Sequence, residues 1–154
     1  MYFETMASQA PNSLSVSGHV TKQSLANLTS AISETIQIGD QFYHSYIVPG
    51  DGNCFFHTLS LTLQGDFSHT ALYRNVICAY IEDTWTQWKE WAALCHDQNI
   101  NREMYREMMV KNNGWASTCE IEAAAIILGV AIKVFLKDNK TGRFTCHFCT
   151  RQKI

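Results

Sequence analysis

Val48-Pro49-Gly50-Asp51-Gly52-Asn53-Cys54-Phe55-Phe56-His57 is the stretch on which the reading of this chain turns. Tyr46-Ile47-Val48 is a short β-branched and aromatic run, and Pro49 to Asn53 is a dense cluster of turn residues, so the backbone has to bend sharply there. Cys54, Phe55, Thr58, Leu59 and Thr62 then fall at helical spacing, which places Cys54 in the first turn of a helix. A thiol at that position faces unpaired backbone N–H groups and the positive end of the helix dipole. Both favour the thiolate, which is the nucleophilic form. Glycines in the turn let N–H groups approach a substrate closely, as an oxyanion hole requires. The same spacing also fits a buried structural cysteine at a loop-to-helix junction, since free cysteine is among the most buried residue types.

The 154 residues suit one domain with a tail, and 46% apolar with 17% charged residues is a globular composition. A net charge of −2 gives no electrostatic case for a nucleic-acid or acidic-membrane partner. No apolar run is long enough to span a bilayer, and Met1 to Thr5 has neither the basic nor the apolar region of a secretory signal. An intracellular chain, cytoplasmic or nuclear, is therefore expected. The six cysteines, irregularly spaced and partly inside helical apolar patterns, are expected to be reduced.

Residues 1–23 are rich in Ser, Thr, Gln, Asn and Gly and are expected to be a poorly ordered tail, with a domain over 24–154. Leu25, Leu28, Ile32 and Ile36 recur at three- and four-residue intervals, which predicts a short helix ending at Gly39. After the Cys54 helix, Gln64-Gly65-Asp66 breaks the pattern, and Ser68 or Thr70 is placed to cap a long helix reaching about residue 94. Leu72, Val76, Ala79, Tyr80 and Asp83 follow its spacing. Trp85, Trp88 and Trp91, three residues apart, read as a packed helix face rather than a binding cage. A further helix is expected over 102–111, with Met104, Tyr105, Met108 and Met109 as its apolar face. Ser117-Thr118-Cys119-Glu120 has the spacing of a capping box and opens a helix that Gly129 stops, with Ile121, Ala124, Ala125 and Leu128 inward. Ala131 to Leu136 reads as a strand, Asp138 to Gly142 as a hairpin turn and 143–150 as the returning strand.

Gly50-Asp51-Gly52-Asn53-Cys54-Phe55-Phe56 resembles the nucleophile motif of the ovarian tumour (OTU) family of cysteine proteases. Gly114 to Ala125, with Leu128-Gly129-Val130 and the strand at 132–135, resembles that family's tryptophan-to-helix-to-strand block. The resemblance spans about residues 42–150. It implies a papain-like α+β fold, a small mostly antiparallel sheet flanked by helices, and hydrolysis of isopeptide or peptide bonds after the C-terminus of ubiquitin. Ubiquitin or ubiquitin-conjugated proteins would be the partners, with no cofactor, nucleic acid or membrane. It matches Cys54 to the attacking thiolate, Asp51 to the acidic residue of the turn, and the N–H groups of Asp51, Asn53 and Cys54 to the oxyanion hole. Trp115 corresponds to a site-shaping position and Glu120 to a helix cap.

The chemistry needs an imidazole to take the thiol proton and an Asn or Asp to orient it. The family carries that histidine on a strand after the hairpin, and no histidine here matches the motif. His19 lies in the tail, His44 before the turn, and His69 and His96 at helix ends. His57 is one turn beyond Cys54 and is expected to point the same way from lower down. His147, in Thr145-Cys146-His147-Phe148-Cys149, has an aromatic after it but a cysteine where Asn or Asp belongs, and it falls earlier than the family's catalytic strand. The expectation is therefore a domain lacking its last strand or strands, with a catalytically inactive ubiquitin-binding domain, or a domain cut from a larger polyprotein, as alternatives. Cys146 and Cys149 are not expected to bind metal, because positions i and i+3 of a regular strand face opposite sides.

Overall fold

In a computed structural model the described residues are 32–111 and 114–150. The predicted tail lies outside them. The chain order is β1 (Ile32–Ile38), β2 (Gln41–Tyr46), α1 (Cys54–Gln64), α2 (Thr70–Asp83), α3 (Trp85–Cys95), α4 (Arg102–Arg106), a π-helical turn (Glu107–Lys111), α5 (Thr118–Leu128), β3 (Lys133–Lys137) and β4 (Phe144–Cys149). This is the expected α+β class. The strands form two separate antiparallel hairpins, β1–β2 and β3–β4, rather than one sheet. The Tyr43 and Phe135 rings, 6.3 Å apart, join them.

Of the helix expected through Leu25, Leu28, Ile32 and Ile36, the first half lies outside the described residues and the second half is instead strand β1. Ile32, Glu34, Ile36 and Ile38 also satisfy a period of two, and Ile38 pairs with Gln41 across a Gly39-Asp40 turn whose glycine has φ +60°. A two-residue turn of positive φ suits the twist of a hairpin, so the turn chemistry outweighs the helical spacing. The single long helix over 70–94 is two helices. Thr84 sits between them with φ −112°, its hydroxyl donating to the Tyr80 carbonyl at 2.6 Å, a back-bond that competes with the helical ladder.

The inward face of α2 also differs from the sequence reading. Thr70, Arg74, Ile77, Cys78 and Ile81 are buried, while Leu72 and Val76 are 53% and 44% exposed. The buried stripe packs with Phe55, Phe56 and Leu59 of α1 and with the alanine-rich α5 into one core. The tryptophans lie on a packing face as predicted: Trp88 is buried and stacks on Trp91 at 5.7 Å, and Trp85 meets Tyr105 at 5.6 Å.

The Ser117–Glu120 capping box forms, and Gly129 ends α5 at φ +65°. Glu120 does more than cap. Fully buried, its carboxylate accepts from Ser117 N–H and Ser117 Oγ–H (both 2.7 Å), from the Tyr105 hydroxyl at 2.8 Å and from His96 Nε2 at 3.0 Å. One carboxylate thus joins the end of α3, α4 and the start of α5. Burial pushes its pKa up, but His96 and the Ser117 donors outweigh burial and hold it below the usual value.

In the β3–β4 hairpin, Asp138 Oδ1 accepts from Lys140 N–H at 2.7 Å and Thr141 N–H at 3.0 Å, which fixes the turn. Phe148 pairs with Val134 and Cys146 with Phe135, so His147 is the extra residue of a bulge. The bulge breaks the alternation of faces assumed for Cys146 and Cys149, which stand opposite Phe135 and Lys133. Among the described residues no three His, Cys, Asp or Glu side chains group as metal ligands, and no helix is long and apolar enough to cross a membrane.

Because the folded pKa of Glu120 lies below its unfolded value, the stability tied to it is complete above roughly pH 4.5 and is lost as pH falls through the folded pKa. Glu120→Gln is expected to cost about 2–4 kcal/mol at neutral pH, because four donors from three residues lose a charged acceptor. It should also flatten the acid limb of stability against pH in urea titrations. An unchanged acid limb would show that another carboxylate governs it.

Candidate active site

Cys54 is the first residue of α1 and is 5% exposed. Asn53 is the N-cap, but its side chain does not cap: Oδ1 accepts from Arg74 Nε at 2.8 Å instead. The N-cap side chain therefore makes no bond to the first-turn amides. The N–H groups of Phe55 and Cys54 lean toward the thiol and pull its pKa down, as the helix-terminus reading requires. They do not win. Burial is the largest influence and raises the thiol above its ordinary value; the Asp51 charge adds to the rise and that of Arg74 opposes it. Burial thus opposes the thiolate that helix position alone would favour.

The turn ahead of Cys54 is held from three sides. Asp51 Oδ1 accepts the Asn53 N–H at 2.9 Å, closing a loop in which Gly52 has φ +89°, a conformation that favours glycine. The Asn53 N–H, one of the three expected oxyanion donors, is thus occupied by the Asp51 carboxylate. His57 Nε2 lies 3.1 and 3.2 Å from the two Asp51 oxygens, and its Nδ1 lies 2.8 Å from Thr70 Oγ1. His57 therefore turns away from the role of a neighbour to Cys54 and braces the turn instead. Its hydrogen bond, followed by that of Asn53 N–H, holds the Asp51 carboxyl below the usual carboxylate range.

The third hold is Arg74, which sequence spacing did not single out. Its guanidinium is buried and donates to Gly52 O at 2.6 Å, Met109 O at 2.5 Å and Gly114 O at 3.0 Å, with Phe56 stacked 4.3 Å from the carbon centre. One side chain thereby fastens the Cys54 turn to the backbone ahead of Trp115. Gly114 fits this approach because a Cβ there would stand 2.9 Å from Met108 O. Trp115 itself is 54% exposed, beside the anchored Gly114 carbonyl. The available signal for Arg74 was its place four residues after Thr70, on the stripe that includes Ile77, Cys78 and Ile81.

The loop between α1 and α2 sets the register of these contacts. Buried Ser60 donates to Asp66 O at 2.6 Å and accepts from His69 N–H at 3.1 Å, while Gly65 closes α1 at φ +87°. Thr70 and Arg74 then lie one turn apart on the face of α2 that meets α1.

The other histidines whose side chains are described stand elsewhere. His96 is committed to Glu120, His69 is the N-cap residue of α2, and His147 is exposed on the β4 bulge. Among the described residues, the hydrogen bonds of the imidazoles run to Asp51, Thr70, Ser68, Ser117 and Glu120, and none runs to the Cys54 thiol.

A cysteine opening a helix behind a braced glycine turn, in an α+β domain, is the arrangement of papain-like thiol hydrolases. A family model described as OTU-like cysteine protease matches residues 49–151, and the chain belongs to that family. It is 30% identical over 80 residues to the ovarian tumor domain-containing deubiquitinating enzyme 7 of Arabidopsis thaliana, a match covering 52% of this chain and 20% of that protein. It is also 30% identical over 88 residues to the RNA-directed RNA polymerase L of Crimean-Congo hemorrhagic fever virus (strain Nigeria/IbAr10200/1970), covering 56% of this chain and 2% of that one. The chain thus spans a small part of both curated relatives. Among solved structures, the viral OTU domain protease from Dera Ghazi Khan virus superposes with a TM-score of 0.52 at 29% identity, over 64% of this chain and 60% of that one.

Arg74→Met should destabilise the chain by about 3–5 kcal/mol in denaturant unfolding, because it strands several buried acceptors at once. Arg74→Lys keeps the charge but not the planar fork, and should recover only part of that loss. A wild-type midpoint for Arg74→Met would show that the bridge contributes nothing.

Proposed function

We propose that this chain is a thiol hydrolase that cleaves the isopeptide or peptide bond following the C-terminus of ubiquitin, with Cys54 as nucleophile. The observation that carries the reading is the braced turn: Asp51, Gly52 and Asn53 are each held in place directly ahead of a cysteine that opens α1. Membership of the OTU-like cysteine protease family supports the substrate class. In the reaction, Sγ of Cys54 attacks the scissile carbonyl carbon and the C=O electron pair moves to oxygen. The N–H groups of Asp51 and Cys54 are the donors proposed for that oxyanion. The S–H bond breaks as Sγ attacks, and collapse expels the lysine or backbone amine, which takes up a proton in place of the one the thiol gave up. Water then attacks the thioester to release the ubiquitin carboxylate and return a proton to the thiol. The exposed Trp115 ring is proposed to border the bound ubiquitin tail.

The burial of the Cys54 thiol and the lack, among the described residues, of an imidazole bonded to it favour a second reading, a ubiquitin-binding domain that does not cleave. The two separate in one experiment. A ubiquitin probe carrying a C-terminal electrophile is expected to label wild-type chain at Cys54 and to leave Cys54→Ala unlabelled. Failure to label the full-length protein, together with ubiquitin binding that survives Cys54→Ala, would replace the hydrolase reading with the binding one.

A further inference from the structure

We propose that His57 is a positioning residue for the Cys54 turn: braced by Thr70, its imidazole holds the Asp51 carboxylate in the geometry that orders the backbone ahead of the thiol. The inference rests on the reading of Cys54 as nucleophile and assigns a function to the imidazole nearest to it in sequence.

Three observations converge on the assignment. Both ring nitrogens are engaged, Nε2 with the two Asp51 oxygens at 3.1 and 3.2 Å and Nδ1 with Thr70 Oγ1 at 2.8 Å. The His57 side chain is 12% exposed while that of Asp51 is 51% exposed, so the buried partner anchors the open one. The ring is also packed edge-on against Phe67 at 5.1 Å. A ring fixed at both nitrogens and one edge has little freedom to swing toward Cys54 as a base.

The held carboxylate has two consequences for the site. It accepts the Asn53 N–H at 2.9 Å, which sets the peptide planes of the turn ahead of Cys54. Its negative charge lies close enough to disfavour the Cys54 thiolate, so a donor on that carboxylate eases ionisation of the thiol. Thr70 in turn is seated by donating to Phe67 O at 2.9 Å, within the loop that Ser60 secures. The brace therefore runs from the α1–α2 loop through Thr70 and His57 to Asp51. Arg74 holds Gly52 and Asn53 independently. Removing His57 leaves the turn folded but its leading carboxylate loose.

The test is a double-mutant cycle of His57→Phe and Asp51→Asn. It is read by peptide-resolved iodoacetamide alkylation of Cys54 at neutral pH and by cleavage of a ubiquitin C-terminal amide substrate. His57→Phe keeps the ring packing and removes both hydrogen bonds. It should slow Cys54 alkylation about three- to thirtyfold, within the range of coupling between groups in contact. It should lower kcat by roughly 10- to 100-fold, less than loss of an oxyanion donor itself, with KM little changed. In the Asp51→Asn background the same substitution should have almost no effect on either measure, and His57→Gln, whose amide can still donate to Asp51, should recover most of the wild-type rate. Equal effects of His57→Phe in both backgrounds, or no effect in either, would overturn the proposal. Should His57→Phe fail to fold, Thr70→Val in the same cycle carries the test, since it frees Nδ1 and leaves ring and carboxylate in place. A chain that cleaves nothing in any variant sinks the hydrolase reading alone, because the alkylation cycle still decides whether His57 acts through Asp51.

Discussion

A buried guanidinium that, among the described residues, makes no ion pair is the constraint around which the rest of this structure is arranged. Arg74 spends its donors on the carbonyls of Gly52, Met109 and Gly114 and on the Asn53 side chain, and rests against the face of Phe56. Burying a cation is costly, and burial does pull the Arg74 pKa below its usual value. Backbone dipoles converging on a planar, five-donor group offset that cost, which a lysine ammonium cannot do in the same geometry. The consequence is topological. Residues about 60 apart in sequence, the turn before Cys54 and the approach to Trp115, share one hydrogen-bonding centre, and the π-helical turn over Glu107–Lys111 supplies the carbonyl between them. Single π turns often sit at functional sites because they present a carbonyl that an α-helix would consume.

A second polar centre, at Glu120, does different work. Its donors come from Tyr105, His96 and the Ser117 cap, so it joins helix ends to each other and leaves the Cys54 turn untouched. The two centres divide the buried polar groups into one that assembles the helices and one that shapes the turn. His96 belongs to the first and His57 to the second, which explains why two partly buried imidazoles in one small domain are both unavailable to the thiol.

What was legible in the sequence was local. The Pro-Gly-Asp-Gly turn, the start of α1 at Cys54, the Ser117–Glu120 box, the Gly129 stop and the Asp138–Gly142 hairpin turn each depend on a few consecutive residues, and each is found where expected. The misreadings arose where two patterns fit equally well. Ile32 and Ile36 satisfy a helix and a strand, and only pairing with β2 decides between them. Leu72 and Val76 make as good a helical stripe as Ile77 and Ile81, yet α2 turns the other face inward because Thr70 and Arg74 have polar partners there. A buried arginine is invisible to hydrophobic periodicity, since the carbonyls that justify it are 21 to 40 residues away.

The site separates geometry from charge. Position at a helix N-terminus was read as preparing a thiolate, and the amides of Cys54 and Phe55 do pull in that direction. Burial pulls harder, with a smaller push from the Asp51 charge, and the thiol pKa is raised. The same carboxylate that disfavours ionisation is the group that orders the turn, through Asn53 N–H and His57. A fixed turn gains most when the reacting group is shielded from water, where its N–H donors act at low dielectric. Shielding is also what raises the thiol pKa. Under the proposed reading, preorganisation of the oxyanion side and the raised thiol pKa have one cause, and a base reaching Sγ has to overcome burial rather than create geometry.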